Sequence, residues 1–224
     1  MNNTSLVNTG SRDTWQAARD LGIERVAGLP AWVVLTQLFI GFGWLRAVAE
    51  KVISPQWWTG SVIEDFVVAN QDSALGWYQP FLDGVVVPAA PLIALIVVVS
   101  QLVAGLSLAS GRRLGLGLGL GMFLNLQFLA AGAVTPSAFY LLAQGALALW
   151  MAEQAPTFIT MKRLGLAAAG AMFLAGLSIP FVSTVHPAHV IDDPAIMFVF
   201  GGTLATLACV LAKEPSSDGS RSSN

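Results

Sequence analysis

The chain has 224 residues, 55% of them hydrophobic and 11% charged, against about 25% charged in an ordinary soluble domain. Its 11 Lys and Arg nearly balance 13 Asp and Glu, and it carries one cysteine. This rules out an internal disulfide, a cysteine-ligated iron–sulfur cluster and the basic stripe that nucleic-acid binding requires.

Residues 1–30 are polar and mixed in charge, without the basic start and apolar run of a cleaved signal. They read as a cytoplasmic tail, with a short surface helix around 14–27. Six apolar stretches follow, at 31–53, 85–109, 114–134, 137–152, 164–185 and 194–212. About 20 apolar helical residues cross a hydrocarbon core. The fourth stretch is short, but Pro136 before it and Trp150 near its end suit two membrane boundaries. Residues 213–224 are Ser-rich and polar, as in a disordered tail.

The long connection, 54–84, holds Trp57, Trp58, Trp77 and Tyr78, which belong at headgroup level. Ser61 with Glu64 fits a capping box. The connection therefore reads as one interfacial helix, 61–70, lying over the mouth of the bundle or simply anchoring the loop.

Six spans put both termini on one side, together with Arg12, Arg19, Arg25, Arg112, Arg113, Lys162, Arg163, Lys213 and Arg221. The other side carries Lys51. Positive charges in short loops stay cytoplasmic, so the termini are expected inside and the protein in the plasma (inner) membrane. Residues 114–121 read LGLGLGLG. Gly115 with Gly119, and Gly117 with Gly121, each form a GxxxG face for close helix packing. Small residues at 167–171 and 201–202 offer similar faces.

Ionisable and amide groups inside a membrane mark either function or a compensated pair. Arg46, Glu50 and Lys51 close the first span. Gln127 precedes the end of the third by about as much as Gln144 follows the start of the fourth, with Asn125 and Tyr140 near the same depth. One reading is a pocket in which Arg46 and the amides hold the polar head of a small ligand, a quinone carbonyl or an oxyanion. The other is that Arg46 pairs with Glu50, one turn on, and the amides bond across helices. Gln37 and Gln101 read as interhelical bonds. His186 and His189 share the last connection with Asp192 and Asp193. Two close histidines in an exposed loop are usually solvated, so no metal site is expected. Nothing resembles a haem or nucleotide site.

Two stretches carry a resemblance. TQLFIGFGWLRAVAEKVISPQWW (36–58) resembles the first helix of the DoxX/DoxD family, an apolar helix with glycines that closes on Lys before a Pro and aromatic segment. NLQFLAAGAVTPSAFYLLAQGALALW (125–150) resembles that family's third helix, Gly-containing turn and fourth helix. The resemblance implies an all-α transmembrane bundle: a four-helix DoxX-like core at 31–152 and two further spans at 153–212. It also implies a membrane subunit of a quinone-linked, sulfur-related oxidoreductase of the thiosulfate:quinone type, with a redox partner subunit. A shared fold can host other activities, so a non-catalytic scaffold for a soluble redox or stress enzyme and a small-solute transporter stand as alternatives.

Overall fold

The computed structural model describes residues 28–154, 158–183, 186 and 191–212. The expectations for both tails and for His189 lie outside them. Every element among the described residues is helical. The helices are α1 (Ala31–Val52), α2 (Pro55–Thr59), α3 (Ser61–Ala69), α4 (Ala90–Ala109), α5 (Leu114–Ala130), α6 (Val134–Gln154), α7 (Phe158–Ser178) and α8 (Pro194–Leu211). Five of the six long helices have the length and hydropathy to cross a membrane, and α5 is a shorter apolar helix of 17 residues. The protein is a multi-pass, all-α membrane bundle.

Prolines move the expected boundaries in both directions. The fourth span, expected at 137–152, begins at Val134 and has 21 residues. Pro136 falls in its first turn, where backbone N–H groups have no helical partner anyway. The second, expected from 85, begins at Ala90, after a single π-helical turn (Leu82–Val86) and Pro88. The fifth, expected at 164–185, starts at Phe158 and gives way at Ser178 to a 3-10 turn containing Pro180.

The first four long helices form a ring in chain order. α1 packs most closely on α4, α4 on α5 and α5 on α6, while α6 touches α1 only lightly. Small residues permit the close crossings. A Cβ on Gly41 would come 2.7 Å from the Ala109 nitrogen, and one on Gly105 would come 3.1 Å from the Gly41 oxygen. The Gln37 amide ties the same pair by donating to the Leu108 carbonyl at 2.7 Å, as expected of an interhelical bond. Of the two LGLGLGLG faces only one is used. Gly117 lies against Ala104, Ser107 and Leu108, whereas Gly115 and Gly119 meet nothing. α7 and α8 form a hairpin, with Gly202 against Ala171 and the Thr206 hydroxyl donating to the Ala168 carbonyl. Ala195 and Phe198 fasten the hairpin to the main core.

The 54–84 segment caps one end of the ring as two helices, α2 and α3, and a three-residue helical turn at Gln79–Phe81, rather than as one helix. The expected capping box does not form. Gly60, at φ 85°, is the cap of α3, and the Ser61 hydroxyl bonds the Gln56 carbonyl instead. Glycine is required there twice over: a Cβ would be strained at that φ and would strike Ala90 at 2.8 Å. Trp58 is exposed, as a headgroup-level indole would be, but Trp57 and Tyr78 are buried in protein. The Trp57 indole donates to the Ala94 carbonyl at 3.2 Å. Leu75, buried, donates its N–H to the Ala130 carbonyl and seats the cap on α5.

Candidate functional site

Helix phase decides which polar groups meet. On α1 the buried positions include Gln37, Ile40, Gly41, Trp44 and Val48. Arg46 lies about 200° from Trp44, at 100° per residue, so it must face away from the core. Its side chain is 81% exposed and pairs with Glu50 at 2.7 Å. The expected pocket joining Arg46 to the amides is therefore not what the structure builds. Lys51 is turned to a structural task, with its ammonium 4.9 Å from the Trp57 ring centre and 3.4 Å from the Ala47 carbonyl.

The amides also separate. Asn125 and Gln144 meet in the core, with Asn125 Nδ2 donating to Gln144 Oε1 at 3.2 Å. Gln127, two residues on and about 200° round α5, faces the cap and accepts from the Tyr78 hydroxyl at 2.6 Å. Burial pushes the Tyr78 phenol up to about 12.

Trp44, which the sequence reading passed over, and Gly121, which it took only as a packing face, complete the buried cluster. Gln144 is fully buried, and its Nε2 has no acceptor among the described residues. Nor does the indole Nε1 of Trp44. Both face Gly121: a Cβ there would overlap Gln144 Nε2 and lie 3.1 Å from Trp44 Nε1. Two donors from different helices thus converge on a patch of bare backbone. Gln101 on α4 adds a buried acceptor, Oε1, also without a partner. Because Gly117 packs on Ala104 and Leu108, Gln101 falls within about a turn of Gly121's level. Unmet buried polar groups cost about 1–3 kcal/mol each, so these three atoms, two of them converging on Gly121, call for an explanation. The signal for Trp44 was its i+7 spacing from Gln37 and i−4 spacing from Val48, on one helix face.

Aromatic rings lead from this cluster to the membrane. Trp44 lies 5.7 Å from Tyr140, and Tyr140 stacks on Phe39 at 6.1 Å. Phe39 meets Phe139 edge-on at 6.0 Å, and both are exposed. The Tyr140 hydroxyl lies against Gly43, where a Cβ would overlap it. These rings fill the α1–α6 seam, the lightly packed closure of the ring.

Two cavities lie elsewhere. A cleft of about 420 Å³ is lined by Asp72, Ser73, Phe181, Ser183 and Asp192, and a groove of about 590 Å³ by Ile179, Val182, Ile196 and Phe200. Asp193, at the edge of the cleft, is the N-cap of α8. It accepts from the Ala195 and Ile196 N–H groups and from Ser183 N and Oγ. Burial works against its charge, but these bonds outweigh that and hold the carboxyl below its ordinary value. Among the described residues no three His, Cys, Asp or Glu side chains converge on a metal position. Compared with known proteins, the chain matches no family model, no curated protein and no solved structure.

Proposed function

We propose that this chain is the membrane subunit of a quinone-linked, sulfur-related oxidoreductase system of the DoxX/DoxD type, and that the α1–α6 seam receives the quinone head. The protein would lie in the plasma membrane with both termini cytoplasmic and a redox partner subunit alongside. The supporting observation is the pair of acceptor-less donors, Trp44 Nε1 and Gln144 Nε2, aimed at Gly121 behind an aromatic seam that opens on lipid. A quinone carbonyl is a pure acceptor on a flat ring, so it suits both the donors and the stacking faces. Admission requires the Tyr140 ring to turn out of the seam. The quinone would supply the redox chemistry; the chain would hold its carbonyl, orient its ring and exclude water.

The test is gentle purification of the full chain from its membrane, with assay of extracted quinone and of bound proteins. Stoichiometric quinone is expected, lost in Gln144→Leu and in Gly121→Ala, whose new methyl displaces the Gln144 amide. Arg46→Met should keep it. The core can instead close without a ligand if both amides turn over. Gln144 Oε1 would then face Trp44, and Gln144 Nε2 would face Asn125 Oδ1. Absence of quinone in the unaltered protein would favour that arrangement and sink the proposal. A partner without quinone would then favour the scaffold, and neither would favour transport.

A further inference from the structure

The outward face of α1 carries charge where the bilayer is apolar. The register of α1 against α4 is pinned by Gln37 on Leu108, Gly41 on Ala109, Gly105 on Leu45 and Trp57 on Ala94. Interpolating between these contacts places Glu50 and Arg46 beside residues near 99 and 103 of α4. Those positions are about 14 and 20 Å from its Ala90 end, at 1.5 Å per residue. The exposed residues of α4 around that level are Leu95, Ile96, Val99 and Leu102, all apolar. Measured along α1 itself, Arg46 lies about 9 Å and Glu50 about 3 Å before Val52, so the arginine could snorkel outward. Arg46 and Glu50 are 81% and 58% exposed, with exposed Phe42 and Ile53 on either side. Pairing offsets part of the cost of two charges in hydrocarbon but leaves their outer sides unmet.

We propose that this face of α1 is an intramembrane contact between two copies of this chain. Its charge pattern is self-complementary, with one cation and one anion a turn apart. A two-fold axis along the membrane normal sets the two α1 helices side by side and parallel. Each Arg46 then reaches the Glu50 of the other copy, and the two pairs become one alternating cluster of four charges. Phe42 and Ile53 pack above and below it. Phe39, seven residues before Arg46, shares this face of α1, so the contact borders the α1–α6 seam, but its test does not depend on quinone.

Differently tagged full-length chains, co-expressed and captured in mild detergent, test this. Arg46→Glu makes the face acidic and Glu50→Arg makes it basic; both lose the pair within the chain. Self-capture of either variant is expected to fall at least ten-fold below the unaltered chain. Capture of one variant by the other should return to within about two-fold of it. Equal capture in all combinations, as for a face covered by lipid or by a different protein, overturns the proposal. A second measurement leaves the charges intact. In a Cys209→Ser background, Ala49→Cys should form an oxidant-induced dimer in native membranes and Ile96→Cys on α4 should not. No dimer from Ala49→Cys, or equal dimer from both, also overturns it.

Discussion

Replacing Asn125 and Gln144 with leucine, singly and together, separates a core kept for function from one kept for stability. The Asn125–Gln144 bond joins two buried amides, and such bonds between membrane helices contribute on average about 0.6 kcal/mol. Each buried polar group left without a partner costs about 1–3 kcal/mol. Asn125→Leu loses the bond and strands Gln144 Oε1 beside the already unpaired Nε2, a loss of about 2–4 kcal/mol. Gln144→Leu loses the same bond and strands Asn125 Nδ2 but removes the unpaired Nε2, so it costs only about 1 kcal/mol or less. The double variant loses the bond, strands neither amide and removes Nε2. It should equal or exceed the unaltered protein by about 0–2 kcal/mol, a strongly non-additive result. Equilibrium unfolding in detergent, free of quinone, measures all four proteins. Adding quinone at about a hundred times its dissociation constant should stabilise the unaltered chain by about 2.7 kcal/mol and the double variant not at all. A double variant less stable than both singles would refute the reasoning, because the amides would then be holding the fold.

Three further outcomes follow from single groups. In Tyr140→Phe, Tyr78 is the only tyrosine left, and its phenolate absorbance should rise near pH 12 rather than near the ordinary value of about 10. Because folding raises that value, the associated stability is present below about pH 10 and is lost as pH climbs toward 12. Asp193→Asn keeps an acceptor for α8 but turns an amide donor toward Ser183, costing about 1–3 kcal/mol near neutral pH. The folded carboxyl is held below its usual value of about 3.9, so this contribution is full above that pH and fades as acid carries the protein through the folded value. Thermal melts of the two proteins should converge in acid. Gly41→Leu should force α1 off Ala109, with a loss of about 1–3 kcal/mol or more, visible as a lower melting temperature in detergent.

The all-α membrane class and the number of long apolar stretches were legible because hydrocarbon demands long, uncharged runs in which helices satisfy the backbone. The pairing of Arg46 with Glu50 and the bond from Gln37 to a neighbouring helix were open to reading from spacing and polarity. The boundaries at Val134, Ala90 and Ser178 were harder. A proline marks a helix limit only to within a turn, and it is tolerated inside the first turn, as at Pro136.

What only the tertiary structure decided was the rotation of each helix. In water the core face is the apolar face, and periodicity reveals it. In a bilayer, lipid is as apolar as the protein interior, so Phe39 and Phe42 facing lipid look no different from Ile40 and Val48 facing the core. Depth could be estimated from sequence, and it grouped Arg46 with Gln127 and Gln144; phase then divided them. Arg46 went to the lipid-facing surface of α1, Gln127 to Tyr78 in the cap, and Gln144 to Asn125 and Trp44. Close backbone crossings at Gly41 and Gly105 set that phase. They depend on which helix lies beside which, a fact carried by the packed bundle and not by any one stretch of the chain.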